Sequence, residues 1–244
     1  MIGKKSGFTL VETLITLGII GVIAGLSIPL AIAGRMAAQA KGQFNTAYAV
    51  LQHAVADMSS SGIELQQSLY MGVEQNGRAA SNSIYSKFKP FLKISYDCGA
   101  SENVNPKICA STNESGYEGY SGNSNTQLNT IVSNGSFVLQ NGMLVAFSGQ
   151  DSSLNVFVSV DINGKNKLPN KWGWDVFTFQ VLDGELVPVG APGTAYKHDN
   201  SQPRYGERAE DFCKAGSDGL HNGATCAYFA LNNDEYFKTL YRGH

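Results

Sequence analysis

Residues 1–35 read MIGKKSGFTLVETLITLGIIGVIAGLSIPLAIAGR, and the reading of this stretch decides the fold. From Phe8 to Ala33 there are 26 residues, of which Glu12 alone is charged. A run of that length and composition suits a membrane-spanning helix, which takes roughly 20 residues. A carboxylate within it is unfavourable in hydrocarbon, so Glu12 asks for a reason. An export signal has a basic start, an apolar stretch of about 7–15 residues and a small-residue cleavage site. Lys4 and Lys5 supply the basic start, but the apolar run is too long and no A-x-A-like site follows closely. A plain anchor, with both lysines held inside the cell, leaves Glu12 unexplained.

The stretch Gly7-Phe8-Thr9-Leu10-Val11-Glu12 resembles the prepilin motif of type IV pilins and type II secretion pseudopilins. In that family a short basic leader ends in Gly, a membrane peptidase cuts after it, and the new N-terminal residue, usually Phe, is methylated. A Glu follows four residues beyond that Phe. The resemblance therefore implies cleavage after Gly7, N-methylation of Phe8 and an assembly role for Glu12. Pro29 stands where many members carry a helix-loosening proline. The implied role of Glu12 is to pair with the Phe8 amine of a neighbouring subunit, offsetting the desolvation of both charges and setting the register. The implied partners are further copies of the chain, the prepilin peptidase and an inner-membrane assembly platform. The implied location is a single-pass inner-membrane precursor, then a periplasmic or cell-surface filament.

Past Arg35 the pattern turns amphipathic. Phe44, Tyr48, Leu51, Val55 and Met58 form one apolar stripe at helical spacing, with Lys41, Gln43, Gln52 and Asp57 on the other face. This predicts a nearly continuous helix from Phe8 to Ser59, ended by Ser59-Ser60-Ser61-Gly62, with a kink or melted stretch near Pro29. His53 reads as a helix-face residue. The expected organisation is a leader over 1–7, a transmembrane helix over 8–34, an amphipathic half over 35–61 and a globular domain over 62–244.

Within the domain, a short helix is expected near Ser81–Leu92, and Ser111–Gly135 reads as surface loop, rich in Asn, Ser, Gly and Thr. Asn141-Gly142, between two strand-like runs, predicts a two-residue type I′ hairpin. Leu154–Asp161 and Asp175–Val181 read as further strands, and Glu185–Val189 as a short edge strand. Neighbouring strands joined by short turns argue for one antiparallel sheet, whose inner face is the partner the helix stripe needs. The fold class is α+β: a long N-terminal helix on a C-terminal antiparallel sheet, pilin-like. Residues 190–244 read as a loop-rich tail with little core of its own.

Four cysteines beyond a membrane segment point to disulfides in an oxidising compartment. The sequence-local pairing is expected, Cys98–Cys109 with Cys213–Cys226. The stretch DINGKNKLPNKWGWD (Asp161–Asp175) begins like a calcium loop, but Gly164 arrives too early and the closing Glu is missing, so it is no EF-hand. Asp161, Asn163, Asn170 and Asp175 still make an oxygen-bearing set suited to a hard cation, and major pseudopilins are similar in holding Ca²⁺ in such a loop. Turn formation alone also accounts for Asn163-Gly164 and Pro169-Asn170.

Motifs for phosphate cradles, hydrolase nucleophiles and zinc proteases are absent from the sequence, and no enzyme is expected. A net charge of −2 gives no bulk attraction for nucleic acid. Phe177 and Phe179 read as sheet core with Trp172 and Trp174 capping it. The function expected is a structural subunit of a type IV pilus or type II secretion pseudopilus. The alternatives are a minor or tip pilin with an adhesive or DNA-uptake role, and a membrane-anchored binding domain that does not polymerise.

Overall fold

Helix α1 (Leu10–Ser60) runs through 51 residues without a break. The computed structural model describes residues 7, 9–63, 83–99, 105–110, 116–122, 135–150, 155–195, 209–217, 219 and 221–242. At about 1.5 Å per residue α1 is roughly 75 Å long. The melted stretch expected at Pro29 is not seen, since Pro29 lies inside the regular helix. One proline removes a single backbone hydrogen bond, and the turns on either side hold the rest. The C-terminus closes as a Schellman motif: Ile63 N donates to Met58 O and Gly62 N to Ser59 O, both at 3.0 Å. That motif needs a left-handed residue, and Gly62 supplies it at φ 73°.

The helix has two halves of opposite character. Large apolar residues from Leu10 to Ile32 are more than half exposed. From Ala37 onward one face is buried, through Ala37, Ala40, Phe44, Ala47, Leu51, Ala54, Val55 and Met58. Four of the eight are alanines, which the apolar stripe read from sequence had passed over. Their small side chains let the helix lie close on its neighbours.

Those neighbours are a six-stranded antiparallel sheet in simple meander order: β1 (Ile94–Gly99), β2 (Ser136–Leu139), β3 (Leu144–Gln150), β4 (Asn155–Asp161), β5 (Val176–Leu182) and β6 (Glu185–Pro188). Alternation sorts the side chains. Phe137, Val145, Phe147, Val158, Val160, Phe177, Phe179 and Val181 join the core that holds α1. Phe44 sits at its centre, with ring centroids 4.7 Å from Phe177, 6.1 Å from Phe179 and 5.7 Å from Phe237. The opposite face is covered as well, by a smaller cluster of Ala110, Tyr117, Leu144, Ala146, Trp172 and Val176.

Several expectations need correction. The β2–β3 turn is not type I′. Gly142 N donates to Leu139 O at 2.9 Å and Leu139 N to Met143 O at 2.8 Å, with Gly142 at φ 87° and Asn141 outside the left-handed region. This is a three-residue loop, a type I turn with a glycine bulge. The two-residue type I′ geometry falls instead at Asp183-Gly184, φ 49° and 81°, between β5 and β6. Strand β1 had no clear signal, because it is mostly exposed and its pairing with β2 is twice interrupted.

The helix near Ser81–Leu92 is α2 (Ile84–Phe88), capped by Ser83 and followed by a 3₁₀ turn, Lys89–Phe91. Of the loop read over 111–135, segment 116–122 is strapped to the sheet's second face, with Tyr117 buried. Asn113-Glu114-Ser115 and Asn134-Gly135-Ser136 match the glycosylation sequon, and both asparagines lie outside the described residues.

The tail is not mere loop. It contains a 3₁₀ turn (Ala209–Phe212), α3 (Cys226–Asn232) and α4 (Tyr236–Arg242). Ala227, Ala230, Phe237 and Leu240 from these helices enter the main core, and α4 packs along α1. An exposed Lys41–Asp234 pair at 2.6 Å adds little to that contact.

Candidate functional site

The chain presents two sites, one at the head of α1 and one in the loop between β4 and β5. Thr9 is the N-cap of α1, in extended conformation at φ −77° and ψ 152°. Its side chain accepts from Glu12 N at 3.3 Å. In return Glu12 Oε2 accepts from Thr9 N and from Thr9 Oγ1, each at 2.8 Å. This is a capping box, T-x-x-E, in which two orphan helix N–H groups are satisfied reciprocally. Glu12 is therefore partnered within its own chain, and its position has a local cause that the motif T-x-x-E could have revealed. Gly7 is exposed and Phe8 lies outside the described residues. Pro29 sits on the exposed apolar part of α1. Among the described residues α1 is the one helix long and apolar enough to cross a membrane, with a mean hydropathy of 2.3 over its most apolar stretch, none of which is buried.

The second site gathers all four oxygen-bearing residues expected of it. Asp161 ends β4, Asp175 precedes β5, and the loop between them folds back so that Asn163 and Asn170 meet the same carboxylates. Asp175 Oδ2 accepts from Asn170 N at 2.8 Å and from Asn163 Nδ2 at 3.1 Å, while Oδ1 accepts from Lys171 N at 2.6 Å. Asp161 Oδ1 accepts from Gly164 N at 2.8 Å and Asn163 N at 3.2 Å, and Oδ2 from the Tyr117 hydroxyl at 2.8 Å. Asn170 holds a left-handed backbone at φ 52° next to the cis Leu168–Pro169 bond, and its Nδ2 donates to Lys165 O at 2.8 Å.

The electrostatics of this loop are unfavourable as it stands. Asp161 and Asp175 are each 2% exposed, and among the described residues neither is paired with a lysine or arginine. Burial, then the charge of Asp175, pushes the Asp161 carboxyl up to about 7. Burial pushes Asp175 up to about 6, against the pull of its N–H donors. Two further oxygens, Asn163 Oδ1 and Asn170 Oδ1, are buried with no hydrogen-bond partner. An unsatisfied buried acceptor costs about 1–3 kcal/mol, so two in one loop require an explanation. No three His, Cys, Asp or Glu side chains cluster among the described residues. The donor set here is instead two carboxylates and two carboxamide oxygens. That all-oxygen chemistry fits a hard cation such as Ca²⁺, and a soft transition metal poorly.

The remaining residues singled out from sequence fall in structural roles. Phe177 and Phe179 face α1, whereas Trp172 lies on the other side of the sheet and donates from Nε1 to Thr178 Oγ1 at 3.2 Å. Trp174 packs on Tyr241, with Lys171 Nζ 5.2 Å from its ring centre. His53 is exposed on α1. Cys98 is joined to Cys109 with Cα atoms 5.8 Å apart, and Cys213 to Cys226 at 5.1 Å.

A family model described as the prokaryotic N-terminal methylation motif matches residues 2–28. No curated protein and no solved structure matches the chain. The motif spans the basic leader, the capping box and the first turns of the exposed apolar helix, followed by an α+β domain of pilin-like layout. The chain thus carries the N-terminal methylation signal that marks type IV pilin-like and pseudopilin precursors.

Proposed function

We propose that the mature chain is a structural subunit of a type IV pilus or type II secretion pseudopilus, polymerising through α1. The observation that carries this reading is the division of α1. Its first half is apolar and uncovered, its second half is held by the domain along one face, and a cleavage-and-methylation signal stands at its head. An uncovered helix of this kind has two sinks for its apolar surface, lipid before assembly and sister helices after it. Prepilin peptidase would cut after Gly7 and methylate Phe8, and an inner-membrane platform would pass the subunit into a periplasmic or surface filament. The Phe8 amine of one subunit would then meet Glu12 of the next.

Mass spectrometry of the protein from its native host, with electron microscopy of sheared fibres, tests the proposal. The expected mature chain starts at N-methyl-Phe8 and is found in filaments. An intact Met1 in assembled material refutes it. A cleaved chain that stays monomeric in the membrane favours the non-polymerising binding domain, and one confined to filament ends favours a minor or tip subunit.

We also propose that the β4–β5 loop binds Ca²⁺, a reading supported by the two orphaned amide oxygens beside two buried carboxylates. Asp161, Asn163, Asn170 and Asp175 would hold it. The ion would supply a positive charge beside the two carboxylates, which no lysine or arginine among the described residues pairs with. Calorimetric titration of the full-length protein in detergent with Ca²⁺ checks this, and no uptake refutes it.

A further inference from the structure

The β4–β5 loop also holds two distant segments in place. Tyr117 lies 44 positions before Asp161, and its buried hydroxyl donates to the Asp161 Oδ2 atom. The same segment, 116–122, is tied to the loop through its backbone, with Glu118 N donating to Asn170 O at 3.0 Å and Trp172 N to Glu118 O at 2.9 Å. Segment 105–110, next to the Cys98–Cys109 bridge, is held by side chains of the loop. Lys165 Nζ donates to the carbonyls of Cys109, at 2.9 Å, and Pro106, and Asn166 Nδ2 to the carbonyl of Lys107 at 3.1 Å. Two neighbouring segments that lie 44 and 56 positions before their loop partners thus form one face with the loop that carries Asp161 and Asp175.

We infer that a cation in this loop orders the whole face, with Tyr117 as the positioning residue for Asp161 and Lys165 as the link to segment 105–110. The inference rests on the Ca²⁺ reading above. Outer hydrogen bonds to a ligating carboxylate fix its direction and are felt in the metal site. Asp161 has its two oxygens divided for this: Oδ2 takes the phenol, and Oδ1 takes the loop N–H groups. Without a cation the two buried carboxylates repel each other, the loop loosens, and the hydrogen bonds from Tyr117, Glu118, Lys165 and Asn166 lose their fixed partners. A cation held by them would remove the repulsion, and order would pass outward along those bonds. The coupling is reciprocal by linkage, so anchoring the face also raises cation affinity.

Hydrogen exchange of the full-length protein in detergent micelles, in Ca²⁺ and in EGTA, reads this directly. Ca²⁺ is expected to slow exchange in segments 105–110 and 116–122 by roughly 5- to 150-fold, the range of ordinary inter-site coupling. Strands β2 and β3 and helix α4 should be unchanged. Tyr117→Phe should still bind Ca²⁺ by calorimetry, more weakly, and lose the protection of 116–122 while keeping that of 105–110. Lys165→Met should do the reverse. Ca²⁺ uptake with no change in either segment overturns the coupling and leaves the cation site intact. Absence of uptake overturns the site, and this inference with it.

Discussion

Chelated protein should lose stability as the pH rises from 5 to 8, the opposite of ordinary acid denaturation. Asp161 is pushed up to about 7 in the folded chain by burial and then by the charge of Asp175, and Asp175 to about 6 by burial. In the unfolded chain both return to about 4. A raised folded pKa means that the folded state keeps a proton the unfolded state has given up. Their contribution is therefore fully present below pH 4 and lost as pH climbs through 6 and 7. At 1.36 kcal/mol per unit, the Asp161 shift is worth on the order of 4 kcal/mol. The pair is coupled, so the two shifts are not added. Two of the three pH units between 4 and 7 lie above pH 5, on the order of 3 kcal/mol, and for a chain of this size about 2–4 °C of melting temperature goes with each kcal/mol, which gives a fall of roughly 5–10 °C.

Asp97, beside Lys89 at 2.7 Å, has a lowered pKa, so its effect lies below about pH 4 and outside this window. Ca²⁺ should restore the loss at pH 7.5, by about 2.7 kcal/mol at 100 times its dissociation constant, and do nothing at pH 4.5, where the ligands are protonated. Thermal unfolding followed by circular dichroism, in EGTA and in Ca²⁺, measures both. A melting temperature in EGTA that is flat or rises between pH 5 and 8 refutes the reasoning, because it would mean that the two carboxylates ionise there without penalty.

Phe44→Ala should cost about 3–5 kcal/mol in urea unfolding, since Phe44 is fully buried among Phe177, Phe179 and Phe237. Replacing Cys213 and Cys226 together by Ser should cost about 2–4 kcal/mol and lower the protection of α3 first, because Cys226 opens that helix. Gly7→Val should leave full-length precursor in the membrane, seen by mass. Glu12→Gln should insert and fold normally yet reduce filament yield, whereas Thr9→Val should cost about 0.5–2 kcal/mol of helix start. Normal filament yield from Glu12→Gln would remove the charge pairing from the account.

The elements that could be read from sequence are those whose periodicity persists. The apolar run and stripe of α1 extend over 51 residues, and β3, β4 and β5 alternate through seven each. Helices α3 and α4 are only seven residues long, two turns each, too short for a 3.6-residue period to stand out. Strand β1 failed for a different reason: exposed side chains and two shifts of register erase its alternation. Asn141-Gly142 marked the right turn but the wrong type, because the same dipeptide suits a glycine bulge. In the β4–β5 loop the four oxygen-bearing residues were legible, since spacing alone sets them between two strands. Tyr117 was not, because only tertiary folding brings it to Asp161. The orphaned state of the two amide oxygens belongs to the folded loop and has no sequence signal.

Glu12 shows why a motif and a physical cause are different kinds of statement. The T-x-x-E box explains an acid at this position in any helix that begins at Leu10, membrane-bound or not. It also lowers the cost of carrying that acid into lipid, because Thr9 gives the carboxylate two hydrogen bonds and the helix N-terminus favours negative charge. A precursor can thus wait in the membrane with Glu12 satisfied. Both hydrogen bonds from Thr9 fall on Oε2, so pairing with an incoming amine at the other oxygen need not break the box. Replacing Glu12 by Leu removes box and charge together and confounds helix stability with assembly. Replacing it by Gln keeps a side chain that can close the box and removes only the charge. The difference between these two variants, measured in filament yield against inserted subunit, separates what Glu12 does for its own helix from what it does for a neighbour's.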